Sequence, residues 1–314
     1  METKTESTRV VVVGAGLVGS TAAFAMMAQG VASEIVLIDV NKEKSEGEAL
    51  DLQHGISFTP AARVWAGTYE DCKDADVIVI TAGVGQKAGQ KRLELADTNA
   101  KIVKEIIQNI KQYTREAIIL VVSNPLDVMT QVALVQSGFP RNQIFGTGTT
   151  LDSSRFRYAL GGMLDVAADS VGAYILGEHG DSEVAVVSHA NVMGEPIQNL
   201  PHYDGQKIED IFAHTKNAAY EIIQKKGATY YAIALVIARL VRAILFDEKH
   251  VFPVSTLLEG EYGISGVCIS VPAVIGRKGI VELIPVKLSN EELQKLQQSA
   301  QTVKGVIDAI QKTL

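Results

Sequence analysis

Along the first half of the chain, short apolar runs alternate with longer stretches whose apolar residues recur at helical spacing. Residues 10–13, 35–38, 76–81 and 117–122 are almost continuously apolar and rich in Val and Ile, as strands buried on both faces of a sheet are. Residues 63–66 and 143–145 read as two shorter strands. Helical stretches fall between them, to about Gln29 after the first strand and then over 42–54, 93–113 and 126–137, with Gly47 a weak point in the second. Six strands alternating with helices predict an α/β fold, a doubly wound parallel sheet of the Rossmann kind. Three glycines and several polar residues in 82–90 predict a loop between a strand end and a long helix.

Beyond Gly146 the pattern changes. A helix over 150–160 precedes short strands at 170–176 and 184–187, two consecutive helices within 205–246, strands at 251–258 and within 267–286, and a polar helix from 289 to the end. This predicts a second, α+β unit. The expected division is a nucleotide-binding domain over 1–146 and a catalytic, substrate-binding domain over 147–314, with substrate between them. The run 230–246 is the one candidate for a membrane span, but its length and the interrupting Arg239 and Arg242 predict a buried helix instead.

The first strand breaks at Gly14-Ala15-Gly16-Leu17-Val18-Gly19 and gives way to an alanine-rich helix. In that order of strand, turn and helix, glycines let the chain turn sharply, let a diphosphate approach bare backbone and let the helix pack close to its strand. The diphosphate then sits over 16–19, on a helix N-terminus whose unpaired N–H groups and dipole favour an anion. The second strand ends at Asp39, about twenty residues on, where a carboxylate can accept from both ribose hydroxyls. No arginine stands beside it to receive a 2′-phosphate, so Asp39 predicts NAD as the cofactor.

Composition narrows the function classes. At 314 residues the chain is long enough for two ordinary domains, and 47% apolar with 21% charged residues is a globular composition. A net charge of −7 offers no basic surface for nucleic acid, so an acidic substrate has to be caught locally. Cys72 and Cys268 form no CxxC pair, pointing to neither a disulfide framework nor a cysteine metal site and fitting a reducing cytoplasm. The histidines and acids show no metal-binding spacing such as HExxH, and the polar start of the chain lacks the apolar core of a signal peptide.

His179, in Leu176-Gly177-Glu178-His179-Gly180-Asp181 just past an apolar strand, is the best-placed proton carrier of the six histidines, although a surface-loop histidine would read the same way. Asp152 and Arg155 lie one helical turn apart, so they can point into one cleft or form an ordinary surface ion pair. Asn124, at the carboxyl end of an expected parallel strand, stands where open α/β sheets bind ligands, and equally where a helix N-cap would stand. Gln86 and Arg92 flank the glycine loop and on spacing alone read as solvated.

With these motifs in place, the chain resembles the L-lactate and malate dehydrogenase family, and within it the L-lactate dehydrogenase branch. The resemblance runs over nearly the whole length. It rests on the Val-Gly-Ala-Gly-x-Val-Gly opening, Asp39, Gln86 with Arg92, Val-Ser-Asn-Pro at 122–125, Leu-Asp-x-x-Arg at 151–155, Gly-Glu-His-Gly-Asp at 177–181 and Lys-Gly-Ala-Thr at 226–229. It implies an NAD-dependent enzyme that interconverts pyruvate and L-lactate. It also implies that His179 is the acid/base paired with Asp152, that Arg155 grips the substrate carboxylate and that loop closure brings in Arg92. Asn124 and Thr229 would line the substrate site, and Asn124 the cofactor site as well. A cytoplasmic homotetramer built from dimers follows from the same resemblance, with the helix over 42–54 as a contact. Ala88 and Gln90 depart from the family's usual proline and glutamate. Many bacterial members are activated by fructose 1,6-bisphosphate through an arginine and a histidine. Arg157 matches the arginine, but Gly172 stands in the histidine's place, which implies weak or absent activation. Two rival readings are a malate dehydrogenase of the same family and a nucleotide-binding protein without catalysis. Intact His179, Asp152, Arg155 and Arg92 speak against the latter.

The resemblance puts the choice of 2-oxo acid on Gln86, six places before Arg92. A neutral glutamine can cover the methyl group of pyruvate. The second carboxylate of oxaloacetate would be desolvated there, with Lys87 as the nearest cation in sequence. Gln86→Arg is expected to shift the kcat/KM ratio from pyruvate toward oxaloacetate by on the order of several kcal/mol, read from steady-state rates with NADH. An unchanged ratio would remove specificity from this position.

Overall fold

The structure, a computed structural model, describes residues 7–85 and 92–310 and, for Arg92, its backbone alone. The first half forms β1 (Arg9–Val13), α1 (Leu17–Ala28), β2 (Glu34–Ile38), α2 (Lys42–Gly55), β3 (Arg63–Ala66), β4 (Val77–Ile80), α3 (Arg92–Ile110), β5 (Ile118–Val121), α4 (Leu126–Ser137) and β6 (Ile144–Gly146). Its strands pair in parallel in the order β3-β2-β1-β4-β5-β6, the doubly wound arrangement that the alternation of runs predicts. The strand order reverses between β1 and β4, which opens a crevice beyond their carboxyl ends.

The second half supplies α5 (Thr150–Leu164), β7 (Val171–Leu176), β8 (Val184–Val192), β9 (Glu195–Pro196), α6 (Lys207–Lys226), α7 (Tyr231–Leu245), β10 (His250–Glu259), β11 (Ser265–Gly276), β12 (Gly279–Leu283) and α8 (Asn290–Ile310). β7, β8 and β9 make a separate antiparallel sheet, whereas β10, β11 and β12 continue the first sheet. The continuation starts where Ser255 of β10 pairs antiparallel with Gly146 of β6. Without β10, β6 would be an edge strand with unpaired backbone groups, so the extension follows from the need to satisfy them.

Both faces of the large sheet are covered, which explains its unbroken apolar strands. Successive side chains point to opposite faces: Val11 and Val13 enter a core with residues of α3, α4 and α8, and Val10 and Val12 one with residues of α1 and α7. A third, smaller core joins α5 to β7 and β8. The run 230–246 becomes α7, buried along most of its length, with Arg239 and Arg242 both paired to Glu248. No helix among the described residues is long and apolar enough to cross a membrane. The helix expected over 150–160 runs on to Leu164 and stops where Asp165 turns left-handed, at φ 56°.

Candidate active site

The glycine turn lies at the crevice. Gly14 takes φ 107°, and a Cβ there would lie 2.6 Å from the backbone nitrogen of Ala82, just past β4. A Cβ on Gly19 would lie 1.8 Å from the Gly14 carbonyl oxygen, so glycine is what lets α1 pack onto the turn. At Gly16, by contrast, a Cβ would meet nothing within 4 Å, which leaves open space beside bare backbone. Helix α1 then begins with no side-chain cap and no acid in its first turn, with Leu17 exposed and Val18 half-buried. Free N–H groups, open space and a positive helix end fit a diphosphate. Asp39 closes the arrangement: its Oδ2 accepts from the Ala15 N–H at 2.7 Å and its Oδ1 from the Asn41 N–H at 2.9 Å.

The second cluster is built by α5 and the turn after β7. Helix α5 is clamped to β7, because the Thr149 hydroxyl donates to the Ile175 carbonyl at 2.5 Å and the Ser153 hydroxyl accepts from the Ile175 N–H at 2.9 Å. The turn is fixed residue by residue. Gly177 exchanges backbone hydrogen bonds of 2.9 Å with Ser270 of β11, the Glu178 N–H donates to Ser299 of α8 at 2.8 Å, and the His179 N–H donates to Asp127 of α4 at 2.8 Å. These anchors bring His179 Nδ1 to 2.6 Å from Asp152 Oδ2, while Arg155 donates to Asp152 Oδ1 at 2.8 Å. Asp152 is buried, and the side chains of His179 and Arg155 are 27% and 15% exposed. The ring nitrogen that does not face Asp152, Nε2, is the one available to exchange a proton with a ligand.

Charge follows from this packing. Burial works against a charged imidazole, but the Asp152 carboxylate, then its hydrogen bond, then Asp127 and Glu183 outweigh burial and raise the His179 pKa to about 9. Burial alone would raise Asp152, yet His179 and Arg155 hold its carboxyl below the usual range. Asp127, buried on α4, rises to about 6 through desolvation, against the lowering effect of hydrogen bonds from Ser255 and the His179 backbone. Glu183 rises to about 8, chiefly through burial and then through Asp152, and its Oε1 has no hydrogen-bond partner among the described residues. At neutral pH the site therefore holds a charged imidazole over an ionised aspartate.

His179, Asp152 and Arg155 come together as one hydrogen-bonded unit, which rules out both the surface-loop histidine and the ordinary surface ion pair. Asn124 stands exposed at the carboxyl end of β5 and is not the cap of α4, a place taken by Pro125. Its carbonyl accepts from Asn99 of α3 at 2.7 Å, and Asn99 also holds Val84 by both backbone groups, at 2.8 and 3.1 Å. Asn99 thereby ties the start of the glycine loop to the strand end. Thr229 is half-buried in the short connection between α6 and α7, and no hydrogen bond to it links it to the cluster among the described residues. Gln86, Ala88 and Gln90 lie outside the described residues, and Arg92 is placed only as the first residue of α3. The reading by motif missed Asp127, Glu183, Ser255, Asn99 and Ser299. Of these, only Asp127 carried a signal, as an acid in the first turn of a helix that starts at a strand end.

Comparison with known proteins bears on both clusters. Residues 8–146 match the lactate/malate dehydrogenase NAD binding domain, and residues 149–314 match the lactate/malate dehydrogenase alpha/beta C-terminal domain. The L-lactate dehydrogenase of Acetivibrio thermocellus is 47% identical over 307 residues, spanning 96% of this chain and 97% of the relative. L-lactate dehydrogenase 1 of Clostridium acetobutylicum is 46% identical, over 97% and 99% of the two chains. Among solved structures, the minor L-lactate dehydrogenase from Enterococcus mundtii in its ligands-bound form superposes with a TM-score of 0.94 at 45% identity, covering 96% of this chain and 98% of that one.

Two variants test the electrostatics described here. Asp39→Ser removes the carboxylate that accepts from both backbone donors and that is expected to meet a ribose, so NADH affinity should fall and the preference over NADPH should narrow, as read by titrating both nucleotides. Glu183 is raised in the folded state, so its contribution is fully present below the unfolded value of 4.5 and is lost as pH rises through about 8. The loss amounts to at most about 1.4 kcal/mol per pH unit. Glu183→Gln should therefore flatten the fall in Tm between about pH 5 and about pH 8 in calorimetry.

Proposed function

The chain belongs to the lactate/malate dehydrogenase family, and on that premise we propose that it is an NAD-dependent L-lactate dehydrogenase with His179 as its acid/base. The observation that carries the proposal is the His179–Asp152–Arg155 chain of hydrogen bonds, at 2.6 and 2.8 Å. Gly14, Gly16, Leu17, Val18, Gly19 and Asp39 would hold the cofactor, with Asn124 beside it, and bound NADH supplies a hydride to the substrate carbonyl carbon.

The protein's own residues do the rest. As negative charge develops on the ketone oxygen of pyruvate, a protonated His179 stabilises it and delivers its Nε2 proton, giving L-lactate. Asp152 holds the ring by Nδ1 and stabilises the imidazolium without taking the proton itself. Arg155 presents a planar fork suited to the substrate carboxylate, which fixes the carbon that faces the nicotinamide. Thr229 would line the site, and Arg92 and Gln86 would complete it, excluding water and strengthening these interactions. In the reverse direction, neutral His179 accepts the proton of lactate.

We also assign a cytoplasmic homotetramer. Exposed Phe24, Leu50 and Phe58, on α1 and on α2 and its continuation, support a subunit contact on that face, and the buried free thiols of Cys72 and Cys268 support a reducing compartment. Activation by fructose 1,6-bisphosphate should be weak. A Cβ on Gly172 would lie 2.8 Å from the Asn191 side-chain amide, so Asn191 fills the space a histidine would need.

Pyruvate should outrun oxaloacetate under NADH, and a wild type that prefers oxaloacetate would overturn the assignment. His179→Asn should lower kcat/KM for pyruvate by about 10²–10⁴-fold. In the wild type, pyruvate reduction should decline as pH rises through about 9. Asp152→Asn should move that decline toward the ordinary imidazole value of about 6.5.

A further inference from the structure

We propose that Asp127 is a positioning residue for the acid/base, a second buried carboxylate that fixes the place of His179 through its backbone and helps keep its ring charged. The inference rests on the assignment of His179 above and adds to it a residue outside the motifs that carry the resemblance. Asp127 is 2% exposed. Its Oδ2 accepts from the His179 N–H at 2.8 Å and its Oδ1 from the Ser255 hydroxyl at 2.6 Å. Ser255 is itself fully buried on β10, at the residue pair that joins β10 to β6.

The chemistry of these contacts poses a question of charge. The two contacts use different oxygens, yet a neutral amide could serve both, accepting from the His179 N–H and donating to a Ser255 hydroxyl turned to accept, without the desolvation cost of an ionised carboxyl. A carboxylate kept here is explained by what its charge acts on, and the imidazolium of His179 is the cation it favours. The first turn of α4, where backbone N–H groups and the helix dipole favour an anion, offsets part of the cost. Asp127 follows Asn124 by three residues, so one short segment carries both the strand-end asparagine and the anchor of the His179 peptide. Asp127 is thus the member of α4 that registers the cofactor-side corner against the proton donor.

Other charges face this pair from every side. Asp152 and Arg155 approach from α5, and Glu183 from just before β8, with Lys216 of α6 acting on Glu183. Glu178 of the turn and the Cys268 thiol of β11 also face Asp127. Asp152 meets the ring and Asp127 the peptide N–H.

The test uses the full-length enzyme with NADH and follows KM for pyruvate against pH, because binding of a 2-oxo acid to protonated His179 weakens as the ring loses its proton. Asp127→Asn keeps an acceptor for His179 and removes the charge. The alkaline rise of KM should then begin about half a pH unit or more lower, making KM about threefold higher than wild type on that limb. Ser255→Ala keeps the charge but frees the carboxylate, so its profile should depart from wild type on the acid side, near the Asp127 value of about 6, and leave the alkaline limb in place. If Asp127→Asn does not fold, the Ser255→Ala profile decides alone. A uniform loss of kcat with neither limb displaced would make Asp127 merely structural and overturn the inference. A wild type that does not reduce pyruvate would instead overturn the assignment of function.

Discussion

A buried carboxylate and a charged imidazole are held in hydrogen-bond contact between α5 and the turn after β7, and much of the surrounding structure is arranged to make that contact tolerable. Left alone, either charge would be expensive to bury. Removing one member of such a pair commonly costs about 3–5 kcal/mol, because the other is left uncompensated. The clamps of Thr149 and Ser153 on Ile175 hold α5 in place, and consecutive residues of the turn are anchored on β11, α8 and α4. Arg155 compensates Asp152 by one donor, and its remaining N–H groups are not used in that contact.

The cofactor side is organised by bare backbone. At Gly14 and Gly19 a methyl group would collide with neighbouring backbone, and at Gly16 it would collide with nothing, so the same residue type serves packing at two places and access at the third. Asp39 is bonded to the glycine turn, so the carboxylate at the end of β2 and the shape of the turn are set together. His179, from the middle of the chain, is anchored through Asp127 on α4, the helix that follows the corner at Asn124.

Much of this was legible in the sequence. The first-half strands stood out because a strand covered on both faces has no polar positions to interrupt it, and β1 shows this with Val10 to Val13 divided between two cores. The glycine turn and Asp39 were legible because their constraint is local. His179, Asp152 and Arg155 could be listed individually, but motif resemblance was needed to put them in one place, since His179 and Asp152 are 27 residues apart. The hidden residues are those with distant partners: Asp127 meets His179 across 52 residues and Ser255 across 128, separations at which no periodicity carries information. For the same reason β10 and β11 read correctly as strands while their junction with β6 did not.

That junction has a mechanical consequence. Because β10 lies antiparallel against β6, the N-terminal NAD-binding half and the C-terminal half are sewn into one sheet, and neither has a complete surface without the other. A fragment cut after β6 would present a raw, apolar strand border, the kind of surface that recruits foreign strands, and its buried Asp127 would lose both of its donors, the Ser255 hydroxyl and the His179 N–H. In this chain the stitch that protects the molecule from sticking to itself also helps align its chemistry.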